Sequence, residues 1–73
     1  MYFELSAPTQ TAFHGAVWES EMLGLDPEYN SSTLTFSIGT GNIEKVSRLI
    51  NKHSLSVIKE SDYEPNSIYE KGY

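Results

Sequence analysis

Residues 33–60, TLTFSIGTGNIEKVSRLINKHSLSVIKE, decide the fold class of this chain. Over 33–38 polar and apolar residues alternate, so Leu34, Phe36 and Ile38 share one face of a half-buried strand. Gly39, Thr40, Gly41 and Asn42 then end the strand, because glycine and asparagine accept backbone angles that other residues avoid. Next, Ile43, Val46, Leu49, Ile50 and His53 recur at spacings of three and four, with Glu44, Lys45, Arg48, Asn51 and Lys52 mostly off that stripe. This is an amphipathic helix of about three turns. Gly41 or Asn42 supplies its N-cap, Glu44 lies in the first turn and Lys52 and His53 in the last, each sign matching the helix dipole. Leu55, Val57 and Ile58 indicate a second strand. If it pairs parallel to the first, the helix between them is a crossover.

Working outward, Tyr2, Phe3, Glu4 and Leu5 read as a further strand, ended by Ser6, Ala7, Pro8 and Thr9. Residues 9–23 have poor periodicity: Phe13, Ala16 and Val17 lie on one side, while Trp18, Met22 and Leu25 drift to another. The end of this stretch is better marked, since Leu23, Gly24, Leu25, Asp26 and Pro27 form a glycine cap, an apolar residue and a proline stop. A helix is expected, with a β-hairpin as its rival because Gly15 sits inside and Phe13, Val17 and Trp18 favour strands. Residues 26–32, DPEYNSS, read as a polar loop. The expectation is a small single α+β domain over 1–60, with a three-stranded sheet and one or two packed helices. Residues 61–73, where Tyr63, Tyr69 and Tyr73 stand among polar residues, are expected to be a flexible or loosely docked tail.

A chain of 73 residues is one domain that buries only about 60% of the surface its unfolded form exposes. With no cysteine, neither a disulfide nor a thiolate metal site supplements the core, and self-association as a homodimer is one way to bury more. No apolar run reaches a membrane span and no signal peptide is evident, so the expected location is cytoplasmic, without membrane contact. The net charge of −5 is uneven. Residues 1–44 hold six acids (Glu4, Glu19, Glu21, Asp26, Glu28, Glu44) and no lysine or arginine; residues 45–73 hold five bases and four acids. An unrelieved acidic segment argues against direct nucleic-acid binding and suits a protein partner with a basic surface. Such acidity also simply keeps a small domain in solution.

No motif names a reaction, and neither a catalytic residue nor a cofactor is assigned. Gly39, Thr40 and Gly41 lie between strand and helix, but Glu44 stands where the dinucleotide fingerprint needs a small residue, and the turn has no lysine. His14 and Glu21 share a helix face without enough further ligands for a metal site. His53 suits a helix C-terminus better than a general base, and there is no nucleophile elbow. Glu19 and Glu21 read as a solvated face. Trp18 is expected to anchor the core; exposed, it would be a binding hot spot.

The run from Phe36 to Ile58, with its glycine turn, Ile43, Val46, Leu49, Ile50, Leu55 and Val57, resembles the first strand, helix and strand of ACT-type ligand-sensing domains. That resemblance implies a small-ligand-binding regulatory module in which residues 39–42 contact the ligand at a dimer interface. The composition favours a different function: a non-catalytic acidic protein that binds and inhibits or adapts a larger protein, a profile shared by small acidic proteins of phages and mobile elements. Its partner-binding residues would be Trp18, Glu19, Glu21, Asp26, Glu28 and Tyr29. A sharper variant has the carboxylates stand in for DNA phosphates.

Overall fold

A computed structural model describes residues 1–63 and the backbone of Glu70 and Lys71. Two helices pack on one face of an antiparallel sheet, an α+β arrangement. In chain order the elements are β1 (Tyr2–Ser6), α1 (Gln10–Met22), β2 (Glu28–Asn30), β3 (Thr35–Gly39), α2 (Ile43–His53) and β4 (Ser56–Ser61), with a two-residue β5 (Glu70–Lys71). The strand order is β4-β1-β3-β2-β5, and every neighbouring pair is antiparallel. β3 and β4 therefore run in the same direction with β1 between them, and β1 and β2 likewise flank β3. These are two interleaved split β-α-β units, the ferredoxin-like connectivity.

Two expectations need correction here. The sheet has four strands plus the short β5, not three, because residues 28–30 of the expected polar loop form β2 against β3. Three residues with only Tyr29 offering apolar area carry no visible alternation, so β2 is specified by its hairpin partner rather than by its own pattern. The 33–60 unit is also not a pair of adjacent parallel strands: β1 separates β3 from β4. That unit is the second half of the fold, whereas its resemblance to ACT-type domains placed it first.

Leu34 belongs to the β2–β3 turn, at φ 56, rather than to the strand. Asn30 Oδ1 accepts from Ser32 N at 3.0 Å, which shapes this turn, and Ala7 N donates to Leu34 O at 2.9 Å. A left-handed leucine is costly unless surrounding contacts hold it; the hydrogen bond and half-burial against the core do so.

The rest follows local chemistry. Thr9 caps α1, its Oγ1 accepting from Ala12 N at 3.1 Å. The helix ends in a Schellman motif: Leu25 N donates to Ser20 O, Gly24 N to Glu21 O, and Gly24 takes φ 75. The hairpin alternative for this stretch is thereby excluded. Asn42 caps α2, accepting from Glu44 N and Lys45 N. Phe3, Leu5, Phe36 and Ile38 of the sheet meet Phe13, Ala16 and Val17 of α1 and Val46 and Leu49 of α2 in one core. Gly15, the residue that weakened the helix reading, sits where a Cβ would lie 3.3 Å from the His53 ring, so glycine leaves the room in which α2's last residue packs on α1. Tyr63 is exposed; Tyr69 and Tyr73 lie outside the described residues.

Candidate protein-docking face

α1 divides its residues among three directions. At 100° per residue, Phe13, Ala16, Val17 and Ser20 form one buried stripe, completed at Ser20 by a hydroxyl that donates to Ala16 O at 2.7 Å. Two small residues in that stripe let the helix sit close to the sheet but dilute its apolar signature. On the opposite side, Trp18 and Met22 follow one another at i and i+4 and are 64% and 69% exposed. The expectation that Trp18 anchors the core is overturned: the inward positions are already filled, and residue 18 faces solvent.

The two flanks carry the two glutamates. Glu19 turns to α2, where its Oε1 meets Lys52 Nζ at 2.9 Å and His53 Nε2 at 3.0 Å. The Lys52 hydrogen bond, with His53 adding, holds the Glu19 carboxyl below its ordinary 4.5 against an opposing effect of burial. Lys45 of α2 also reaches α1, donating to Leu23 O at 3.3 Å near the helix C-terminus. Two of α2's bases are thus directed at α1.

Glu21 turns to the other flank, towards β2. There a hollow of about 470 Å³ is lined by Phe13, His14, Val17, Trp18, Glu21 and Tyr29. Phe13 is buried at its base, with Tyr29 set edge-to-face at 6.1 Å and His14 at 5.4 Å between ring centroids. Glu21 Oε1 is itself covered by protein and has no hydrogen-bond partner among the described residues.

Asp26 and Glu28 line a second hollow of about 400 Å³, with Met1, Tyr2, Gly39 and Thr40 among its other walls. Tyr2 pairs with Gly39 across β1 and β3, and a Cβ on residue 39 would fall 2.7 Å from the Tyr2 ring. Gly39 is thus glycine because an aromatic ring covers it, and no phosphate need be invoked.

Of the six candidate residues, Trp18, Glu21 and Tyr29 meet at one hollow, Asp26 and Glu28 at another, and Glu19 joins α2. Met22 and His14 were not singled out as binding residues. Their signal was the spacing 14, 18, 22, a second stripe turned away from the buried one. His14 and Glu21 do share a hollow, but among the described residues no group of three or more potential metal ligands gathers. No described helix is long and apolar enough to cross a membrane. Compared with protein-family models, with curated proteins and with solved structures, the chain matches none.

Proposed function

We propose that this protein is a non-catalytic binding protein that docks through the outer face of α1 and the adjoining β2 onto a larger protein with a basic surface, and thereby inhibits or adapts it. The observation that carries the reading is the exposed pair Trp18 and Met22 beside the hollow that holds Glu21 and Tyr29. Tryptophan and methionine are costly to leave in water, and tryptophan leads the residue types that anchor interfaces. The acidic first half supplies the matching charge: residues 1–44 hold no lysine or arginine. Such a surface gains association rate from steering and loses it as salt rises. The test is capture of partners by the tagged chain at low and high ionic strength, beside Trp18→Ala. A single stoichiometric partner that is lost at high salt and lost by the variant supports the reading; an unaltered catch by the variant removes it.

A second reading has its own observation, the hollow bounded by Gly39, Thr40 and Gly41. It suits a regulatory small-ligand module with its ligand at the strand-to-helix turn. Because Asp26 and Glu28 share those walls, an anionic ligand fits it poorly. A salt-insensitive thermal shift with a small neutral or cationic molecule would favour this reading over docking.

A further inference from the structure

The two edges of the sheet are finished differently. On one side β4 is the last described strand, and its register against β1 shifts between Glu4 and Leu5, with Lys59 and Glu60 just beyond the shift. A bulge and charged residues both blunt an edge against a further strand. On the other side β2 already has a guest. Glu70 and Lys71, from the C-terminal end of the chain, lie antiparallel to it as β5, with Lys71 opposite Glu28 and Glu70 opposite Tyr29. The fold thus shows β2 to be a strand acceptor. Its guest is slight: β5 is two charged residues long, and two residue pairs are marginal by themselves. The acceptor also belongs to the docking face. Tyr29 is in register with Phe36 of the core and sets its ring against Phe13, so it stands on the helix side of the sheet and lines the hollow beside Trp18. The chain's bases differ in what they meet: Lys45 and Lys52 turn to α1, Lys59 stands opposite Glu4, and Lys71 stands opposite Glu28.

We infer that the β2 edge is where the docking partner adds an extended strand, antiparallel to β2 and carrying a lysine or arginine opposite Glu28, and that β5 is an intramolecular stand-in which this strand displaces. Strand addition draws its affinity from main-chain hydrogen bonds and its specificity from alternate side chains. The register selects the charge. A base opposite Glu28 is favourable, whereas an acid there sets like charges across from one another. β5 places a lysine at that position, so the chain itself displays the pattern that the partner must match. The stand-in is also a competitor, because a strand binds only in the fraction of molecules whose edge β5 has left. Since Tyr29 lines the hollow beside Trp18, a strand seated on β2 continues the face formed by α1. This inference rests on the docking reading, and it names the form and the charge of the segment that the partner presents.

The test uses the full chain with β5 released in two ways. Lys71→Pro removes an N–H and suits a paired strand poorly, and Lys71→Glu sets an acid opposite Glu28 without altering the backbone. The probes are the capped peptide NSIYEKGY, residues 66–73, and its Lys71→Glu form, titrated while amide NMR shifts are followed. The expected result is weak saturable binding of the first peptide to both released chains, with shifts around residues 28–30, and weaker binding of the acidic form. Wild type should bind the first peptide about tenfold more weakly than the released chains if β5 is seated nine-tenths of the time. Adding Glu28→Lys to the Lys71→Pro chain should reverse the preference between the peptides. No shift around 28–30 in a folded released chain, no preference between the peptides, or equal binding by wild type overturns the inference. The two levels separate in partner capture. A partner held equally by wild type and both released chains overturns the strand site and leaves docking intact. Peptide binding that needs a base opposite Glu28, with no partner captured, supports the acceptor edge and removes the docking reading.

Discussion

Glu19 illustrates how much one side chain settles. Its carboxylate ties the middle of α1 to the last turn of α2 through Lys52 and His53. Lys52 is largely exposed, which screens its share, so Glu19→Gln should cost about 1 kcal/mol in chemical unfolding near neutral pH. The sign of the pH effect follows from the lowered folded pKa. The unfolded chain binds the proton first, so the contribution is full above 4.5 and is lost as pH falls through the folded value. The stability gap between wild type and Glu19→Gln should therefore shrink on acidification; a gap that widens would contradict the pairing. Gly39 gives a second case at this scale. Gly39→Ala puts a methyl group into the Tyr2 ring and should destabilise by about 1–2 kcal/mol, relieved in part when Tyr2 is also replaced by a smaller residue.

The helix ends make a matched pair at the level of elements. Gly24 and Ser54 both take left-handed backbone, at φ 75 and φ 56, just past α1 and as the C-cap of α2. Ser54→Gly should therefore raise stability by about 0.5–1 kcal/mol, while Gly24→Ala, with open space around the added methyl, should lower it by about 1 kcal/mol through backbone strain alone. Thermal melts of the two variants, moving in opposite directions, would bear this out. The elements also differ in how far they could be read in advance. α2 was legible because cap, charges and stripe agree, and β1, β3 and β4 because they carry β-branched or aromatic residues. α1 was legible at its glycine end and obscure in its body, since Ala16 and Ser20 thin the buried stripe while Trp18 and Met22 enlarge the exposed one. β2 was not legible at all, for its three residues take their conformation from pairing with β3.

Across the whole molecule, the topology sorts charges that the linear order only hinted at. Lys52 and Lys45 of α2 turn to Glu19 and to Leu23 O of α1, while Glu21, Asp26 and Glu28 line the two hollows beside β2. The clustering of Trp18, Glu21 and Tyr29 joins α1 to the strand that the sequence did not reveal, so no reading of spacing could have assembled it. On the docking reading, Trp18 serves the surface and not the core. It is tested most directly by comparing wild type and Trp18→Ala in two readings of the same preparations, the thermal unfolding midpoint and partner capture at low salt. The expected result is a midpoint within the small range of exposed substitutions, about 0.5 kcal/mol in stability, together with loss of the captured partner. A midpoint that collapses as for a core deletion, or a partner held as firmly as by the wild type, would contradict it.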